Sequence, residues 1–204
     1  MPSRWRSSRK KHTDTPADLV VVGLGNPGDK FVGSRHNVGA EVVELLASRH
    51  GQPLGRSREA SLVAEVRVES RRVVLAVPQT FMNKSGEAVR ALVRRWSIAD
   101  HLDRLVIVHD ELDLPPGRIK VKHGGGLAGH YGLASIKSHL HTADFARIRI
   151  GVGKPSNPQA GADYVLKRPG RSDRNLLDDA VERAAEAALA LLDHPVDVVM
   201  NRFN

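Results

Sequence analysis

The chain has 204 residues, 41% of them hydrophobic and only 4% aromatic, which is enough aliphatic material to bury a core without disulfides or a metal staple. It contains no cysteine, so a disulfide framework, a thiolate metal centre and a cysteine nucleophile are excluded. The formal charge of +8 is concentrated at the N-terminus, where Arg4, Arg6, Arg9, Lys10 and Lys11 supply five of the eight excess charges.

No apolar run approaches the roughly 18 to 20 residues of a bilayer span, and no apolar segment follows the basic N-terminus as a secretory signal requires. The expectation is a cytoplasmic, non-membrane protein. Residues 1–17 read as a basic, disordered leader, with contact to RNA as the sharper alternative, and residues 18–204 as one domain.

Folding signals begin at Leu19, where Leu-Val-Val-Val is a continuous run suited to a strand buried on both faces. It ends in Gly23-Leu24-Gly25-Asn26-Pro27-Gly28. Helical spacing of Val38, Val42, Val43, Leu45 and Leu46 predicts a helix from Val38 to about His50, stopped by Gly51. Leu62, Ala64, Val66 and Val68 alternate with polar residues, and Val73 to Val77 follows at hairpin distance and halts at Pro78. A helix is expected over Gly86 to Trp96, then a buried strand Leu105 to Val108 running into His109-Asp110-Glu111.

A polar strand (Arg118 to Lys122), a glycine-rich loop (Gly124 to Gly129), a short helix (about Gly132 to Leu140) and a strand (Ala146 to Val152) come next. The longest helical pattern covers 174–192, and a short tail ends the chain. Strands alternating with helices predict an α/β fold, a sandwich around a largely parallel sheet. Ligands in such folds gather at the carboxyl ends of strands, where the polar clusters at Asn26, at Gln79 to Asn83 and at His109 to Glu111 fall.

Gly23, Gly25 and Gly28 match the spacing of a dinucleotide-binding loop, but the residues after Gly28 lack a helical apolar face and no acid-tipped second strand follows. Ten histidines without a metal-binding spacing give no metal centre, and no Gly-x-Ser-x-Gly pentapeptide occurs, so no serine nucleophile is indicated. Water is then the natural nucleophile. His36, Asp110 and the amides of Asn26 and Asn83 suit it, since a carboxylate can orient an imidazole that activates water while neutral amides stabilise an oxyanion. Each has a plainer reading: Asn26 before Pro27 as a turn residue, Asn37 and Ser85 as helix caps, Asp110 as surface charge beside Glu111 and Asp113.

Five segments together resemble the bacterial peptidyl-tRNA hydrolase family: Gly23 to Gly28, Arg35-His36-Asn37-Val38-Gly39, Pro78 to Gly86, His109 to Gly117 and Arg147 to Gly153. They fall in the family's order, and the resemblance runs from about Leu19 to Asn204. It implies a monomeric three-layer α/β sandwich with a twisted, mostly parallel mixed sheet, needing no metal or cofactor, that cleaves the ester between a peptidyl group and tRNA. His36 would be the general base and Asp110 its orienting carboxylate. Asn26, Phe31, Met82, Asn83 and Tyr131 would contact the peptide or the 3′ end. Lys120, Lys122 and Arg149 would hold the acceptor arm and its 5′ phosphate, by contacts that are sequence-independent and salt-sensitive.

Two positions depart from the family pattern. Tyr131 stands where an Asn is usual and Phe31 where a Tyr is common, and Leu127 makes the glycine-rich loop less polar. These departures imply altered substrate selection, as in a specialised paralogue. The alternative is an RNA-binding protein on the same fold with little or no hydrolase activity; a small-molecule esterase fits the basic strand poorly.

Overall fold

The computed structural model describes residues 15–155, 157 and 160–204; the basic segment 1–14, most of the expected leader, lies outside the described residues. Among the described residues seven strands form one sheet: β1 (Leu19–Gly23), β2 (Gly55–Ser57), β3 (Ser61–Val68), β4 (Arg71–Pro78), β5 (Leu105–Glu111), β6 (Ile119–His123) and β7 (Ala146–Gly151). Their order is β2-β3-β4-β1-β5-β7-β6. The central strands β4, β1, β5 and β7 are mutually parallel. β2 and β3 are added antiparallel at one edge and β6 at the other. The expected mixed, mostly parallel sheet is therefore present.

Period-two alternation sorts each central strand between two cores. Leu19 and Val21 of β1, Val73 and Leu75 of β4, and Val106 and Val108 of β5 join one core with helices α1 (Val38–Arg49), α5 (Arg171–Ala190) and α6 (Val196–Phe203). Val20, Val22, Val74, Ala76, Leu105 and Ile107 face the other, against α2 (Ser85–Arg95) and α3 (Tyr131–Leu140). Burying such a side chain contributes about 1.5–3 kcal/mol, which is why runs apolar on both faces sit in the middle layer of three.

Several elements differ from expectation. Ala17, assigned to the leader from sequence, is fully buried and its amide donates to the Trp96 carbonyl at 3.1 Å. The expected C-terminal tail is helix α6, which buries Val199 and Phe203. Its last residue, Asn204, pairs through its side-chain amide with both backbone groups of Val121, at 2.7 and 3.1 Å, and so occupies part of the open edge of β6. β2 and a six-residue helix α4 (Gly161–Leu166) also go unforeseen, because elements this short carry no readable period.

The contact that sets the site is glycine on glycine. A Cβ on Gly23 would lie 2.1 Å from the Gly39 carbonyl oxygen, and one on Gly39 would lie 2.3 Å from the Val108 carbonyl oxygen. Only hydrogen at both positions lets the start of α1 press onto the ends of β1 and β5. That brings the segment before α1 over the carboxyl end of the sheet.

Candidate active site

Three loops meet at that end, tied together by amides. The Asn26 backbone N–H donates to Asn37 Oδ1 at 2.8 Å, and Asn37 Nδ2 donates back to the Asn26 carbonyl at 3.0 Å. Asn37 therefore braces the loop after β1 and makes no side-chain cap to α1. Asn26 Oδ1 in turn accepts the Met82 amide at 2.8 Å, joining the loop after β1 to the loop after β4. Ser85 also does not cap its helix; its hydroxyl donates to the Met82 carbonyl at 2.8 Å.

His36 lies in the 3-10 turn Arg35–Asn37, and Asp110 near the end of β5. Both are buried, and His36 Nδ1 lies 2.7 Å from Asp110 Oδ1. Burial pushes the Asp110 carboxyl up, but the charges and hydrogen bonds of His36 and His130 outweigh it and hold the group well below the usual carboxylate range. An ionised Asp110 can only accept, so the His36 proton sits on Nδ1 and Nε2 is left with a free lone pair on a residue that lines the cleft.

His130 approaches the same carboxylate oxygen, with Nε2 at 3.1 Å. Its Nδ1 accepts the backbone amides of Gly132 at 3.1 Å and Leu133 at 3.3 Å, so the ring caps α3 and its proton is fixed on Nε2. Below it, His109 lies edge-on at 4.8 Å between ring centroids, and His109 Nδ1 donates to the Asp110 carbonyl at 2.7 Å. Burial, aided by His130, brings His109 down to about 3, so it stays neutral at physiological pH.

His36, Asp110 and His130 hold ligand-type atoms within 4.8 Å of one another, the inventory of a metal centre. The hydrogen bonding opposes that use. A metal on His130 Nε2 would need the proton moved to Nδ1, where it would face two backbone donors. The trio fits a proton-holding network better.

A cleft of about 850 Å³ opens over the dyad. It is lined by Asn26, Phe31, His36, Met82, Asn83, Asp110 and Tyr131, seven of the residues singled out from sequence, together with Phe81, Leu112, Val165 and Leu166. Lys120, Lys122 and Arg149 do not line it; they sit on the β6–β7 edge, with Lys120 opposite Arg149 and Lys122 opposite Arg147. Arg149 is engaged by Glu111, whose Oε2 accepts its Nε at 2.9 Å and lies 2.8 Å from its Nη2. Glu111 also lines the cleft and thereby links the two regions.

His130 and Arg147 are not among the site residues expected from the sequence, although Arg147 opens one of the five family-like segments. For His130 the only available signal is its place just before a helical pattern; for Arg147 it is a charge inside an apolar strand. Arg147 is 2% exposed, donates through Nη1 to Gly126 at 2.9 Å, and has no partner for Nε or Nη2 among the described residues. It fastens the glycine-rich loop that leads to His130.

A buried carboxylate paired with one imidazole beside a cleft, at the carboxyl end of a three-layer α/β sheet, is an arrangement suited to a hydrolase. A family model described as peptidyl-tRNA hydrolase matches residues 20–204, and the chain belongs to that family. It is 46% identical over 187 residues to a peptidyl-tRNA hydrolase of Moorella thermoacetica, covering 91% of this chain and 97% of that protein. It is 40% identical over 185 residues to one of Shouchella clausii, covering 91% and 99%. The crystal structure of peptidyl-tRNA hydrolase from Acinetobacter baumannii superposes with a TM-score of 0.86 at 34% identity, covering 93% of this chain and 96% of that one.

Proposed function

We propose that this chain hydrolyses the ester joining a peptidyl or N-blocked aminoacyl group to tRNA, with His36 as general base. His36 Nε2 takes a proton from water as the water oxygen attacks the ester carbonyl carbon. The tetrahedral oxyanion is met by neutral amide donors from Asn26 and Asn83. Asn26 has its Oδ1 committed to Met82, which orients Nδ2 as its remaining donor. Collapse breaks the bond to the ribose oxygen, which recovers the proton from His36, leaving a free peptide carboxyl group and tRNA. Asp110 stays ionised throughout and steadies the imidazolium that forms.

Phe31, Met82 and Tyr131 shape the cleft around the substrate. Lys120 and Lys122 take phosphates of the acceptor arm, including the 5′ phosphate; Arg149, which Glu111 already holds, adds the N–H donors that Glu111 leaves free. The protein acts as a monomer in the cytoplasm, where peptidyl-tRNA arises, and no described helix is long and apolar enough to cross a membrane.

The observation that carries this reading is the 2.7 Å contact of His36 Nδ1 with Asp110 at the floor of the cleft. A buried imidazole-carboxylate pair at the floor of a cleft favours the hydrolase over an RNA-binding protein without catalysis. The test is release of labelled peptide from purified peptidyl-tRNA. His36→Ala is expected to lower kcat by about 10²–10⁴-fold with RNA affinity retained; a variant as active as the native chain removes His36 from the reaction.

A further inference from the structure

Arg35 directly precedes His36, is only 8% exposed, and has no part in the mechanism above. Its partners all come from one remote stretch, residues 164–173. The Arg35 backbone N–H donates to the Lys167 carbonyl at 3.2 Å. Its Nη1 is shared among the carbonyls of Tyr164, Lys167 and Arg168 at 3.4, 3.3 and 3.3 Å, where α4 ends. Nη2 lies 3.5 Å from Asp173 Oδ2, and the guanidinium stacks 4.0 Å from the Tyr164 ring centroid. Only a planar fork meets a ring, a row of carbonyls and a carboxylate at once. Its Nε has no partner among the described residues, and a buried cation of this kind is weak evidence for stability, so its placement calls for another reason.

The clasp is reciprocal. Arg168 reaches back, its Nε donating to the Val32 carbonyl at 2.8 Å, so two arginines cross in opposite directions between residues 32–35 and 164–168. Each fastened segment carries part of the cleft: Val165 and Leu166 on α4, and Phe31 and His36 on the other side. α4 is itself anchored to the sheet, since the Tyr164 hydroxyl donates to the Val152 carbonyl, just past β7, at 2.8 Å. The 3-10 turn bearing His36 is three residues long and has no side-chain cap, so its neighbours set its place. Asn37 ties it to the loop after β1, and Arg35 ties it to α4.

We infer that Arg35 is a positioning residue: it locks the α4 wall of the cleft to the turn that bears His36, so that the base and the surface facing the acyl group are held as one body. The inference rests on the hydrolase reading above. A displacement of about 1 Å in a reacting group can cost on the order of 10²-fold in rate, which makes this clasp a determinant of kcat and not of substrate affinity.

The test compares Arg35→Met, which keeps the length and removes the fork, with Val199→Ala, a cavity in α6 remote from the cleft. Both are assayed on peptidyl-tRNA below their thermal transitions. Arg35→Met is expected to lower kcat by about 10- to 100-fold with KM roughly within two-fold, and Val199→Ala to keep the native kcat. The downfield proton resonance of His36 Nδ1–H, read without substrate, is expected to move or broaden in Arg35→Met and to stay in Val199→Ala. Tyr164→Leu, which removes the ring under the guanidinium, is expected to lower kcat by about five-fold and serves where Arg35→Met does not fold. Native kcat with an unmoved resonance in the folded clasp variant overturns the inference, as does an equal loss of kcat in Val199→Ala. Because the resonance needs no substrate, it decides the positioning role separately: a native chain that releases no peptide overturns the hydrolase reading alone.

Discussion

His36 and Asp110 act as a unit because each fixes the state of the other. The imidazole keeps the carboxyl ionised despite its burial, and the carboxylate keeps the imidazole proton on Nδ1. His130 adds a second donor to the same oxygen, so Asp110 is held from two sides. Asp110→Asn conserves the shape but replaces an obligate acceptor with a group that can present N–H to His36, favouring the wrong tautomer. The expected result is a loss in kcat of about 10²–10⁴-fold with KM changed little, read from steady-state peptide release. Full activity in that variant would show that the carboxylate charge is dispensable. Asn26, Asn83 and Asp110 stand out in the sequence because they lie in polar clusters after strands, and His36 because it lies in a family-like segment; His130 does not, because its role depends on where a glycine-rich loop happens to return.

Between elements, close packing decides whether these side chains meet. α1 crosses β1 and β5 at Gly23 and Gly39, where no Cβ fits. Gly39→Ala must push α1 away from β5, and His36, three residues earlier, moves with it. The expected outcome is a destabilisation of about 1–3 kcal/mol together with a fall in kcat in the fraction that remains folded, checked by thermal unfolding and by turnover below the transition. Wild-type kcat in a destabilised variant would separate the crossing from the catalytic geometry. Strand and helix identities along α1, β3, α2 and α5 are readable from period, and those of β1, β4 and β5 from continuous apolar runs. β2, α4 and α6 are not, since three to eight residues hold too little periodic signal and form because neighbouring surfaces need covering.

Across the whole molecule, cleft and cationic edge are separate regions, so their proposed roles in chemistry and in affinity can be tested separately. Lys120 and Lys122 lie on one face of β6 and away from the dyad. Lys122→Ala is expected to raise KM at physiological salt, leave kcat unchanged and reduce the slope of log affinity against log salt by roughly 1, the loss of one phosphate contact. A salt titration of RNA binding measures it, and an unchanged slope would remove Lys122 from the contact. Arg149 is less available than its sequence position implies, because Glu111 already holds it. Arg147 beside it is a buried clasp on the glycine-rich loop, an assignment no strand pattern distinguishes from that of Arg149.

The order of apolar runs and polar strand ends determined the layered architecture and, with the motifs, the family, since period and motif spacing are local properties of the chain. Partnership was decided only in three dimensions. Residues 74 apart become a 2.7 Å pair, Asn37 becomes a loop brace and not a cap, and His130 joins Asp110 from a third element. The physical reason is that hydrogen-bond direction and burial depend on backbones meeting at distances set by glycine contacts, which no linear pattern encodes.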